Sequence, residues 1–274
     1  MTATTVDPVP VTPAVDTARH VSLVWTVRDA LSITQRNLIT LVRLPQLLVF
    51  ATIQPVAFVL MFRYVFGGAI KIPGVPYVDY LMPGIFAQTV VFGAVSTAVG
   101  LSEDLHKGLI ERFRSLPMAR SAVLVGRTTA DLVRDFFVIL LMSAVGFAVG
   151  FRIHTNALAF IAAIGIMSLF GWSLTWIFAM IGLKSRNAEA AQAASFPPLL
   201  IFTFASNAFV PVASMPGWLQ PFARDQPVSV TISAVRALVL GGPTLNHVLA
   251  SLAWSFGIVI VCAPLAVRMY RRVT

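Results

Sequence analysis

Four histidines, His20, His106, His154 and His247, are scattered along the chain, and Cys262 is the single cysteine. No Cys/His spacing fits zinc, so no metal is expected. One cysteine excludes an intrachain disulfide, and in an apolar run it reads as a small packing residue. A phosphate-cradling loop needs a Gly-Lys-Ser/Thr end after a long glycine-rich turn. The nearest string, Gly182-Leu183-Lys184-Ser185, has neither. Serines lie in apolar stretches without a His/Asp set to activate them. No catalytic residue, cofactor or metal is therefore assigned, and any ATP chemistry needs a second polypeptide. Two charged patterns remain. Asp131, Arg134 and Asp135 stand at i, i+3 and i+4, which places them on one helical face as an ion pair. The segment 102–120, SEDLHKGLIERFRSLPMAR, mixes both charge signs with apolar residues at helical spacing.

The elements that position these groups follow from composition. Of 274 residues, 57% are apolar and 11% charged, with mean hydropathy +0.83. A soluble domain carries about 25% charged residues, and disorder needs low hydrophobicity. The expected class is all-α, a polytopic membrane protein. Charge-free runs of spanning length predict six transmembrane helices near 46–66, 82–101, 132–151, 157–183, 193–213 and 246–268. Pro197, Pro198, Pro211, Pro216, Pro221 and Pro227 interrupt the region after the fifth. Placing the N-terminus inside puts most of the 20 Lys and Arg on the cytoplasmic side. Only Arg63, Lys71, Arg152, Arg224 and Arg236 then fall outside. Both termini are expected in the cytoplasm. The net charge of +9 reads as topology, with no nucleic acid implied. Residues 1–20 lack the basic-then-apolar order of a signal peptide and are expected to form a disordered tail; 21–274 form a single membrane domain.

Two amphipathic segments flank the spans. In 22–43, Val24, Val27, Leu31, Leu38 and Leu41 share one face, and Asp29, Ser32, Arg36 and Arg43 the other. This pattern fits an interfacial helix on the cytoplasmic leaflet or one packed on its own protein. In 102–116, Ser102 is a plausible N-cap, Glu103 and Asp104 fill the first turn, and Pro117 stops the helix. Leu105, Leu109, Phe113 and Leu116 recur at helical spacing. The membrane surface and a protein partner are both open on that pattern.

The string EDLHKGLIERFRSLPMARSAVLVGR resembles the coupling-helix region of ATP-binding-cassette exporter permeases of the type-two class. YVDYLMPGIFAQT at 77–89 agrees, and NAFVPVASMPGWLQPFARDQPVSVTISAVRALVLGG at 207–242 is similar to the daunorubicin/doxorubicin-resistance-type permeases of actinobacteria. The resemblance covers roughly residues 25–272. That family often has Asp before the MPGWLQ string and His before QPV, where this chain has Ala213-Ser214 and Asp225. The resemblance implies a bacterial cytoplasmic membrane permease of an exporter for hydrophobic drugs or lipids. Two ABC ATPase subunits would hold ATP and Mg, and a second permease, identical or a sibling, would complete the pathway. Leu105, Leu109 and Phe113 would fill a groove on the ATPase, with Glu103, Asp104, Glu111, Arg112 and Arg114 around them. It also implies that 214–242 re-enters the outer leaflet as two short helices.

Gln54, Gln88, Ser206 and Asn207 are polar groups in or near the spans, and Phe58, Phe86, Phe92 and Phe202 are aromatic ones. Together they form the candidate substrate path, although packing explains such residues too. Polysaccharide or glycolipid export is the alternative cargo. A secondary transporter is disfavoured because ionisable residues are expected only at the membrane edge.

Overall fold

The computed structural model describes residues 23–43, 45–68, 70, 72, 74–106 and 120–273. Every regular element among them is helical. Two helices, α1 (Leu23–Arg43) and α2 (Pro45–Leu60), precede a π-helical stretch, Met61–Phe66. Then come α3 (Tyr77–His106), α4 (Arg120–Val149), α5 (Ala157–Lys184) and α6 (Ala188–Phe204). A single 3-10 turn, Val212–Ser214, leads to the short α7 (Gln220–Asp225), α8 (Pro227–Leu240) and α9 (Thr244–Val273).

Helices α3, α4, α5 and α9 are long and apolar enough to cross a bilayer, a polytopic membrane architecture. The expected second, fourth and sixth spans fall inside α3, α5 and α9. The third falls on the later part of a longer helix, α4. Its helix begins at Arg120 rather than 132, because the charged residues 127–135 are paired inside the fold and do not end it. The expected fifth span differs most. Pro197 and Pro198 lie inside α6 without ending it, and the helix stops at Phe204 instead of reaching 213.

The core is built around α3. From Tyr77 to Val91 every α3 side chain is buried, because α4, α5, α6 and α8 pack around that half of the helix. Leu81, Ile85 and Phe86 meet Met142, Phe170 and Ile232 in one cluster. A smaller cluster closes the other end, with Leu101, Leu124, Trp176, Leu183 and Tyr270. Asn156 and Asn187 cap α5 and α6, each side chain accepting from a backbone N–H three residues on.

Helix α1 lies on α4 through Ala30, Ile33 and Thr34, whose hydroxyl donates to the Gly126 carbonyl at 2.9 Å. This is not the stripe read from the sequence: Leu31 stays 60% exposed. The helix therefore has two apolar sides, one docked on α4 and one free of it. The expected tail at 1–20 and the segment 107–119 lie outside the described residues.

Candidate functional site

The chain after α6 turns away from helix over 205–211 before the 3-10 turn. Broken backbone in a membrane protein needs partners for its carbonyls, which lipid cannot supply. Here side chains from α3 and α8 supply them. Tyr77 donates to the Phe209 carbonyl at 3.1 Å, and Tyr80 to the Asn207 carbonyl at 3.2 Å. From α8, Arg236 donates to the carbonyls of Tyr80 at 3.0 Å and Asn207 at 3.1 Å. Gln226, the N-cap of α8, donates to the Ala205 carbonyl. Asn207 replies with its own groups: its N–H donates to Ser229 at 3.1 Å and its side-chain amide to Ser233 at 2.8 Å. Ser206 folds back onto the Thr203 carbonyl at 2.6 Å.

The clasp is tight. A Cβ on Gly84 of α3 would collide with the Ala208 backbone, so only glycine permits this approach. The Arg236 guanidinium lies 3.6 Å above the Tyr80 ring, a cation–π contact. Phe209, on the same bend, stacks on Phe62 of the π-helical stretch at 4.5 Å between centroids. Phe58 and Phe204 join it at 6.3 and 5.6 Å. So α2, α3, α6 and α8 all converge on the irregular chain at 205–209.

A second polar cluster fastens the α4–α5 turn to this end. Asp79, buried and next to Tyr80 in the chain, accepts from the Arg152 N–H at 2.9 Å and from the His154 imidazole at 2.8 Å. The His154 N–H donates to the Val239 carbonyl near the end of α8 at 2.9 Å. Helix α8 then ends on Gly241, whose φ of +92° suits glycine. Val228, Ile232, Val235 and Val239 of α8 are buried.

The expected path residues divide between this region and the core. Ser206 and Asn207 belong to the clasp, and Phe58 touches it through Phe209. Gln88 is buried on α3 one turn from Gly84, and neither amide atom finds a partner among the described residues. Phe86 is buried, and its ring packs edge-on against Phe151. Gln54, Phe92 and Phe202 are half-buried. Trp218 precedes α7, and Phe222 lies within it.

At the opposite end, Ser102 to His106 continue α3 and start no new helix, so Ser102 is not an N-cap. Asp104 pairs with Arg127 of α4, and Glu103 and Leu105 complete the last turns of α3. Leu109, Glu111, Arg112, Phe113 and Arg114 lie outside the described residues. Asp131, Arg134 and Asp135 do form an ion-paired cluster, at 2.9 and 3.0 Å. They are not at a helix end, however. Asp131 lies about three turns inside α4. The absence of ionisable groups from the helix interiors, used above against a secondary transporter, is thus corrected.

Sequence reasoning missed Tyr77, Tyr80, Gln226 and Arg236. Arg236 was counted as an outer-loop cation, yet it sits in α8 beneath Tyr80. Its position within an otherwise apolar helical stripe was the available signal.

Comparison with known proteins now bears on this arrangement. The family model described as ABC-2 type transporter matches residues 28–240. The chain belongs to the ABC-2 type transporter family. It is 35% identical over 227 residues to the daunorubicin resistance ABC transporter permease protein DrrB1 of Streptomyces coeruleorubidus, covering 83% of this chain and 80% of that protein. The probable doxorubicin resistance ABC transporter permease protein DrrC of Mycobacterium tuberculosis is 31% identical over 70% of this chain and 69% of its own length. A putative transport permease, ycf38, of Cyanophora paradoxa is 23% identical over 77% of this chain and 74% of its own length. The clasp lies almost wholly within the family's matched region, as do α3 and α4. The chain is a multi-pass membrane permease of the ABC exporter type, and in such systems ATP hydrolysis belongs to a separate subunit.

Proposed function

We propose that this permease moves hydrophobic drugs or lipids outward across a bacterial cytoplasmic membrane, driven by two ATPase subunits that hold ATP and Mg. The similarity to drug-resistance permeases over most of the chain carries this reading. A second permease subunit, the same chain or a sibling, completes the pathway. Six crossings, α2, α3, α4, α5, α6 and α9, leave both termini inside, and 214–242 re-enters the outer leaflet. The segment 102–116 receives the ATPase. Leu105, Leu109 and Phe113 enter its groove, while Glu103, Glu111, Arg112 and Arg114 contact the rim; Asp104 acts within the chain, through Arg127. Substrate passes beside Gln54, Phe58, Phe86, Gln88, Phe92, Phe202, Ser206 and Asn207, and the clasp forms the outer gate.

The test is reconstitution of the permease with the ATPase that co-purifies from native membranes. Vanadate-sensitive ATP hydrolysis, stimulated by a planar aromatic drug or a lipid and accompanied by its movement, is expected. Uptake driven by an ion gradient without ATP would refute the reading.

A further inference from the structure

Helix α3 joins the two ends of the molecule without a break. It begins in the outer clasp at Tyr77 and Tyr80 and ends at His106, where the segment towards α4 begins. At about 1.5 Å per residue, its 30 residues span roughly 45 Å. Polar bonds tie this rod to α4 at two levels. At mid-length, Arg134 donates to the Gly93 carbonyl at 2.9 Å, and the Thr97 hydroxyl donates to Asp131 at 2.7 Å. Asp131 and Asp135 hold Arg134 from either side. About two turns further along both helices, Arg127 crosses Gly100 to reach Asp104. As α3 runs from Gly93 to Gly100, α4 runs back from Arg134 to Arg127, an unshifted antiparallel register.

The glycines make this possible. A Cβ on Gly93 would lie 2.6 Å from Asp135 Oδ1 and 3.0 Å from Arg134 Nη2, and one on Gly100 would collide with the Arg127 guanidinium. Small residues let helices approach, and polar bonds between them resist sliding where no water can replace them. A one-turn slip would take the Gly93 carbonyl from Arg134 and the Thr97 hydroxyl from Asp131, and would separate Arg127 from Asp104. Hydrogen bonds to charged groups that are lost without replacement are unfavourable. The hairpin therefore has one register. The direct contacts of α3 with the bend 205–211 are different in kind: two neutral hydrogen bonds, from Tyr77 and Tyr80, and the close approach of Gly84 to Ala208, with no ion pair between them among the described residues.

We infer that α3 and α4 move as one rigid lever, registered by Asp104, Arg127, Asp131 and Arg134 across Gly93 and Gly100, and that the lever carries motion from the inner segment to the outer clasp. These are positioning residues for transport and touch neither nucleotide nor cargo. The inference rests on the exporter reading. It adds which helices stay together and which contact gives way.

Spin-label distances in the reconstituted complex test it, with Cys262 replaced by serine. Ser96 of α3 and Val133 of α4 are exposed labelling positions, as is Phe196 of α6. Between nucleotide-free and vanadate-trapped states, the Ser96–Val133 distance is expected to stay constant and the Ser96–Phe196 distance to change. A Ser96–Val133 change as large as the other would overturn the lever. No change in either distance, with trapping verified, would also overturn it. Absence of any ATPase association would remove the exporter reading itself. Function gives a second measure. Asp104→Arg and Arg127→Asp should each lower cargo moved per ATP about tenfold. The double exchange should restore at least half of the ratio. Unchanged ratios in the single variants, or no recovery in a normally assembled double variant, would contradict it.

Discussion

Arg236 shows what one residue does in this fold. Among the described residues its guanidinium has no carboxylate partner; two carbonyls and the face of Tyr80 hold it instead. Charge-assisted hydrogen bonds are worth about 1.5–3 kcal/mol each when broken on one side. Arg236→Leu leaves the Tyr80 and Asn207 carbonyls short of a donor and should destabilise the purified protein by about 2–4 kcal/mol, read as a lower melting midpoint in detergent. Arg236→Lys should recover only part of it, because an ammonium cannot lie flat on the ring and reach both carbonyls. An unchanged midpoint in the leucine variant would mean that the clasp is held elsewhere. Gly84→Ala tests the same contact through sterics. The added methyl must displace the Ala208 backbone, so transport should be lost or the protein should fail to accumulate.

Elements, more than residues, decided how far the sequence could be read. Long apolar runs bounded by charges announced α3, α5 and α9 because burial in lipid follows composition. The start of α4 stayed hidden because Arg127, Asp131, Arg134 and Asp135 look like a loop until their partners on α3 are known. The two sides of α1 were mistaken for a similar reason: Ala30, Ile33 and Thr34 are chosen by fit to Gly126, and small residues leave little hydropathy signal. Of the candidate site, Ser206 and Asn207 were legible as polar residues in an apolar run, whereas Tyr77, Tyr80 and Gln226 act through contacts far away in sequence. The α1–α4 contact yields its own prediction. Gly126→Val would drive a branched side chain into the Ala30 carbonyl and Ile33, lifting α1 from α4. Hydrogen exchange in 28–39 should accelerate markedly while that of α5 remains unchanged. Equal protection in both proteins would count against α1 as a docked element.

At the scale of the whole molecule, the number of crossings is decided by α2 and α6, the helices that fall short by length and apolarity. Helix α6 is only 17 residues, roughly 26 Å, less than the hydrocarbon core of about 30 Å. It starts just after Lys184 ends α5, however, and its far end meets α3 at Tyr77 and Tyr80, the start of a helix that runs the other way. In the proposed six-crossing arrangement the irregular stretch 205–209 supplies the length that the helix lacks, and its carbonyls are protected where lipid would not serve them. Phe62, stacked on Phe209, puts the end of α2 at the same level. These contacts support six crossings. With only α3, α4, α5 and α9 spanning, the loop at Arg186 and the turn at Trp218 would share one side, and Arg268, Arg271 and Arg272 would lie outside, against the preference of basic residues for the cytoplasm. Single cysteines at these positions in a Cys262→Ser background separate the two arrangements. With a membrane-impermeant maleimide on intact cells, Trp218→Cys, exposed to 80%, should label at once. Arg186→Cys and Arg271→Cys should label only after permeabilisation. Labelling of positions 186 and 218 from the same side would rule out α6 as a crossing, and with it an outer location for the clasp.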